Sequence, residues 1–138
     1  DGKNFKQVSK YCKEAIAVDI QNPIFSLDQN MSYHTMLTDE YFAQLNKDVL
    51  FDAIFIDADH SYQQSLKDFL NVKDRIIEDG FVFFHDTYPY DYSMSVSTLS
   101  SDCYKTILYI KQNFIDEFEI LTLPFNPGVT IVKKMKRK

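Results

Sequence analysis

Two apolar runs in this chain each stop abruptly in carboxylates and imidazole. The run at 51–56, FDAIFI, is followed by Asp57, Asp59 and His60, and the run GFVFF at 80–84 by His85 and Asp86. Carboxylates and imidazole together can hold a divalent cation or move a proton. His60 is the best candidate base, because a neutral imidazole near pH 7 can take a proton from a hydroxyl. Each histidine alone reads more readily as a hydrogen-bonded helix cap or strand end than as a base. Two ends that each offer His and Asp point to one polar site. His34 has no such company and reads as structural. Asp19 closes a shorter apolar run, AIAVD. A carboxylate there could accept both hydroxyls of a ribose, or it could simply turn the chain; both readings stay open. Tyr88, Tyr90 and Tyr92 could line an acceptor pocket or lid, or fold back on their own domain.

The near-continuous run at 51–57 reads as a strand buried on both faces of a parallel sheet. Its acidic cluster then falls at the carboxyl end, where open α/β sheets bind ligands. Phe5, Val8, Tyr11 and Cys12 recur at helical spacing near the front. A buried strand is expected over 15–20, with a turn at Asn22-Pro23, and an edge strand over 32–37. Thr38 should cap a helix over 39–46, with Asp39 and Glu40 in its first turn. The longest helix is predicted over 61–78, ended by Asp79-Gly80. A helix over 102–115 follows a Ser-rich stretch. The strands 118–123 and 129–133, joined by a Pro-rich turn, read as an antiparallel pair. The order α-β-(β)-α-β-α-β-α-β-β predicts the α/β class, a mostly parallel sheet with helices on both faces in one domain over 1–138.

The totals narrow the function classes. With 45 % hydrophobic residues the chain is globular, and twelve Phe against no Trp predict a Phe-led core. A net charge of −5 argues against general nucleic-acid binding. The basic tail Lys133, Lys134, Lys136, Arg137, Lys138 reads as a solvated end. Cys12 and Cys103 form no CxxC pair and read as reduced, packed thiols. No run approaches membrane-spanning length and no signal peptide opens the chain, so a soluble cytoplasmic protein is expected.

At its polar ends the chain resembles the class I S-adenosylmethionine-dependent methyltransferases, most of all the small-molecule O-methyltransferase-like group. That group's pattern, FDxIFIDxDHxY…DL…L…GGxxxxHD, reads here as FDAIFIDADHSYQQSLKDFL and then IIEDGFVFFHD. The segment LTDEYFAQL is similar to the one that precedes this strand in the group. The resemblance implies a Rossmann-like fold and S-adenosylmethionine as cofactor. It assigns Gly2 to the last glycine of the cofactor loop, Asp19 to the ribose, and Thr38 and Asp39 to the adenine border. Asp57 matches the position beside the methionine moiety, which is also a metal ligand in catechol-type relatives. His60 stands where those relatives carry a catalytic Lys, and Asp86 matches their second carboxylate ligand. Thr87 stands where they use Asn. A magnesium-like cation on Asp57 and Asp86 is therefore implied only in part. The family's first strand and most of its glycine loop should precede residue 1, so an N-terminally truncated domain is expected. Strand edges left open in that way would favour a homo-oligomer.

The leading expectation is transfer of a methyl group to a small-molecule hydroxyl, with His60, Asp57 and Asp86 as catalytic residues. A non-catalytic or truncated domain that keeps the fold is the alternative; only three glycines fit it. A metal-dependent phosphohydrolase is the third reading, because Asp57-Ala-Asp59-His60-Ser61 resembles the DxDx[T/V] start of haloacid-dehalogenase-type phosphatases.

Overall fold

A computed structural model describes residues 2–57, 59–91, 93 and 102–136. Contacts divide the chain into two compact units, Asp1–Leu45 and Asn46–Lys138. Tyr92, the Ser-rich stretch at 94–101, and Arg137 and Lys138 lie outside the described residues.

Unit 1 holds helix α1 (Lys3–Val8), a 3-10 turn at Ser9–Tyr11, strands β1 (Ala15–Asp19) and β2 (Met31–Thr35), and helix α2 (Thr38–Gln44). The strands pair in parallel, from Ala15↔Met31 to Asp19↔Thr35. Asn30 ties the helix exit to the sheet: its side-chain amide donates to the carbonyls of Ser9 (2.8 Å) and Cys12 (2.9 Å). The rings of Phe5, Phe25 and Tyr33 meet at 6.1 to 6.4 Å, at tilted to edge-on angles. The second strand ends two residues before the expected boundary. Leu37 is extended and Thr38 is the first helical residue, so Thr38 is not the cap. Leu37 has no side-chain acceptor to offer. Instead Glu40 reaches back and accepts the Leu37 N–H at 3.4 Å, half of a capping box.

Unit 2 holds β3 (Phe51–Ile56), α3 (Tyr62–Val72), β4 (Ile76–His85), α4 (Tyr104–Asn113), β5 (Phe118–Leu123) and β6 (Val129–Lys134). The sheet order is β3-β4-β6-β5, parallel between β3 and β4 and antiparallel in the rest. Alternation in β4 sends Val82 and Phe84 into the core. They meet Phe69 of α3, which is fully buried, with ring centroids 6.0 Å from Phe84, 5.8 Å from Phe114 and 5.5 Å from Phe118. The Phe-led core is thus present, and it lies on one side of the sheet. Phe55 is 50 % exposed and Ala53 is exposed as well, so β3 is not buried on both faces as expected.

The long helix also ends early. It stops at Val72, and β4 begins four residues later. Ile76 and Ile77 are β-branched and leave the helical stripe to open β4; Ile76 stands opposite Phe51. Asp79 sits at φ 63, and Gly80 lies within the strand where the register against β3 slips. A Cβ at Gly80 would lie 2.9 Å from the Asp52 carbonyl oxygen, so glycine there lets the two strands close. The basic tail is only partly solvated. Lys133 pairs with Asp79 at 2.9 Å, and the Lys134 ammonium donates to the carbonyls of Lys73 and Ile76.

Parallel strand pairs alternating with helices, closed by an antiparallel pair, make this an α/β, Rossmann-like chain. No described helix is long and apolar enough to cross a membrane. Both cysteines are free thiols.

Candidate active site

The site in unit 2 follows from the β3–β4 register. Ile56 pairs with Phe84 in parallel, so Asp57 leaves β3 where His85 and Asp86 leave β4. The chain after β3 then turns sharply. Asp59 accepts the Ser61 N–H at 2.9 Å, and Ser61 caps α3 by accepting the Gln64 N–H at 3.1 Å. Asp102, before α4, accepts the Tyr62 N–H at 2.6 Å and fixes the same helix start from outside. Two members of the cluster adopt the left-handed backbone region: His60 at φ 61 and Asp86 at φ 57. Non-glycine residues held there store local strain, which clusters at functional sites.

Four side chains converge. Asp86, 2 % exposed, is the centre. Its Oδ2 lies 3.1 Å from His60 Nε2 and 3.0 Å from His85 Nδ1. Asp57 Oδ1 lies 3.2 Å from His85 Nδ1 and 3.8 Å from His60 Nε2. The two imidazoles and Asp57 remain about one-third exposed, so a ligand can reach them. Burial pushes the Asp57 carboxyl above its ordinary range and the Asp86 charge adds to this, while the neighbouring histidines oppose it. Asp57, His60 and Asp86 offer ligand atoms within 4.8 Å of one another, a group able to hold a cation. The donors are two carboxylate oxygens, which suit a hard divalent ion, and one imidazole, which suits a transition metal.

The pocket floor was missed by sequence reasoning. Ser65 and Cys103 line it along with Ile56 and Phe84. Burial pushes the Cys103 thiol up to about 12, so it stays protonated and inert as a nucleophile. Ser65 shares a 2.5 Å hydrogen bond with Thr106, joining α3 to α4 under the site. The available signal was a small polar residue on the buried stripe of each helix. Asp59 accepts one N–H through Oδ1 at the turn and also lines the pocket. The phosphohydrolase reading calls for a lysine beside its carboxylates; Asp57, Asp59 and Asp86 supply carboxylates to this pocket, and among the described residues no lysine lines it.

The remaining predicted residues belong to unit 1. Asp19 is exposed at the end of β1, and its Oδ1 accepts the Gln21 N–H at 2.9 Å. It therefore turns the chain while staying open to solvent. The Tyr33 phenol beside it is held above its ordinary range, first by burial and then by the Asp19 charge. Gly2 precedes α1 at φ 71, and a Cβ there would run into the Phe25 ring, so only glycine fits. Thr38 and Asp39 open α2 and are half-buried. His34 packs against Tyr41 with ring centroids 4.9 Å apart and tilted at 50°, in keeping with a structural role. Of the tyrosine loop, Tyr88 and Tyr90 are exposed, at 44 % and 79 %.

Comparison with known proteins gives a consistent result. A family profile described as a methyltransferase domain matches residues 4–87, more than half of the chain. No curated protein matches in sequence. Among solved structures, the chain is similar to a protein from Corynebacterium glutamicum, with a TM-score of 0.62 and 13 % identity over 82 % of this chain and 51 % of that one. It is also similar to a candidate caffeoyl-CoA O-methyltransferase from Staphylococcus aureus, with a TM-score of 0.56 and 21 % identity over 78 % and 53 %. The N-methyltransferase NodS from Bradyrhizobium japonicum WM9, in complex with S-adenosyl-l-homocysteine, gives a TM-score of 0.63 and 11 % identity over 99 % and 74 %. The chain thus spans about half the length of the first two structures.

Proposed function

The chain belongs to the methyltransferase-domain family, and on that premise we propose that it serves an S-adenosylmethionine-dependent transfer of a methyl group to a small-molecule hydroxyl. The observation that carries the reading is Asp86, buried between two imidazoles at 3.0 and 3.1 Å at the end of paired parallel strands. When bound, S-adenosylmethionine supplies a methyl group on a sulfonium, which is displaced in line. Within unit 1, Asp19 would take the ribose, Thr38 and Asp39 would border the adenine, and Gly2 would close the cofactor loop. The exposed carboxylate of Asp19 and the glycine-only backbone at Gly2 suit those roles.

The chain's own chemistry is removal of the acceptor proton. The Asp86 carboxylate accepts from His60 Nε2 and selects the tautomer protonated there. That leaves Nδ1 as the basic atom of the ring. His60 would take the proton of the acceptor hydroxyl, and the imidazolium formed would be stabilised by Asp86 at 3.1 Å and Asp57 at 3.8 Å. The cofactor's sulfonium would supply the methyl group and keep the electron pair of the broken C–S bond. A magnesium ion held by Asp57 and Asp86 would lower the acceptor's own pKa and make His60 a ligand instead of a base.

Calorimetric titration with S-adenosylhomocysteine, with and without magnesium, tests the proposal. Binding is expected, with magnesium altering the affinity only if the cation belongs to the site. A folded chain that binds neither would sink the catalytic reading and leave a methyltransferase-fold domain without cofactor use.

A further inference from the structure

Asp86 holds a strained backbone conformation, and something must keep it there. The next two residues are clamped from β6 and the turn before it. The Thr87 N–H reaches the Gly128 carbonyl at 3.5 Å, and the Tyr88 N–H donates to the Pro127 carbonyl at 3.0 Å. Gly128 lies at φ 90, and a Cβ there would run into the Tyr88 backbone, so the two segments approach as closely as glycine allows. Between them runs a chain of three hydroxyls. Thr130, fully buried, donates to Thr87 Oγ1 at 2.8 Å and meets Thr122 Oγ1 at 2.9 Å. Thr87 is 5 % exposed. Thr130 stands opposite Phe84 on β6, where a valine would fill the core equally well. A buried hydroxyl is costly unless it is bonded, so its presence there calls for a partner.

We propose that Thr130 is a positioning residue: through Thr87 its hydroxyl fixes Asp86 in the conformation that meets His60 and His85. The inference rests on the methyltransferase reading for its consequence in turnover, but not for its geometry. Thr130 touches no reacting atom. It acts on the direction of one carboxylate, as partners in the outer layer of a site orient the groups that act.

The test uses the three histidines of the chain. Long-range 1H–15N spectra at one neutral pH report the proton and hydrogen bond on each imidazole nitrogen. In Thr130→Val the ring signals of His60 and His85 should move, while that of His34, in unit 1, stays as an internal control. Thr130→Ser keeps the hydroxyl and should restore the wild-type pattern. In a methyl-transfer assay Thr130→Val should lower kcat roughly 10- to 100-fold with little change in the KM for S-adenosylmethionine, and Thr130→Ser should recover it. A folded Thr130→Val protein with unchanged His60 and His85 signals overturns the proposal and leaves Thr130 as core packing. If Thr130→Val does not fold, Thr87→Val carries the same expectation and the same refutation. The ring signals need no cofactor. Absence of S-adenosylhomocysteine binding beside an intact Thr130 effect would therefore fail only the functional reading.

Discussion

Both units end a parallel strand in an aspartate, and the two aspartates could hardly differ more. Asp19 closes β1 in the open, bonded to the N–H two residues on. Asp86 follows β4 at 2 % exposure, between two imidazoles. The surroundings differ in the same sense. The least exposed apolar residues of unit 1, Ala15, Met31 and Tyr41, stay at 8 %, whereas Phe69, Val82, Ile110 and Val132 of unit 2 reach 0 %. A two-stranded parallel pair with that burial is a small core by itself, while four strands under two helices close a dense one. An exposed carboxylate suits hydroxyl groups that arrive from water. A buried one suits the tuning of neighbouring rings, because low polarity strengthens every interaction around it.

The largest expected contrast is in stability. Phe69→Ala should cost about 3–5 kcal/mol, because a fully buried ring is lost from a close-packed cluster. Phe25→Ala in unit 1 should cost only about 1–2 kcal/mol, because Phe25 is half-buried and the ring contacts there are looser. Urea unfolding of both variants measures the difference. Equal losses would erase the contrast between the two cores.

Next comes the division of labour. His60→Ala should lower turnover by about 10²- to 10⁴-fold while S-adenosylhomocysteine affinity holds. Asp19→Ala should do the reverse, weakening that affinity by about 10- to 100-fold through lost charge-assisted hydrogen bonds. Calorimetry and a transfer assay on the same two proteins separate the cases. Unchanged affinity in Asp19→Ala would assign Asp19 to chain turning alone.

Much of this was legible in the sequence, for identifiable reasons. The apolar runs at 51–56 and 80–84 stop in polar clusters, so strand ends and their facing residues could be read from patterning alone. The antiparallel pair was equally plain, bounded by Pro and Gly. The helix over 61–78 was not, because Ile76 and Ile77 extend the helical stripe of α3 yet belong to β4, where Ile76 pairs with Phe51 of β3. Periodicity does not distinguish a stripe from a following strand of the same residues. Exposure of Phe55 was hidden too, since an apolar residue carries no record of which face is covered. Thr130 and Ser65 escaped because a hydroxyl on a buried face looks like any surface Thr or Ser until its partner is known.

The smallest expected effect concerns Asp57, and it tests whether assembling the buried site costs stability that the exposed strand end of unit 1 is spared. The Asp57 carboxyl lies above its ordinary value of 3.8 in the folded chain, mainly because burial penalises the charge. The folded protein therefore holds that proton more tightly than the unfolded chain does. Between the unfolded and folded values, N binds more protons than U, so stability falls as pH rises through this window. Asp57→Asn has no such proton to lose. Its melting temperature relative to wild type should rise from acid pH towards neutral and level off once Asp57 is ionised in both states. The step is small, since Asp57 is about one-third exposed and the histidines compensate part of the penalty. Thermal melts of both proteins from about pH 3 to pH 7 decide it. A flat difference would mean that His60 and His85 neutralise Asp57 fully. A difference of opposite sign would mean that the ionised carboxylate is a net support of the fold, and that the site in unit 2 is assembled without cost.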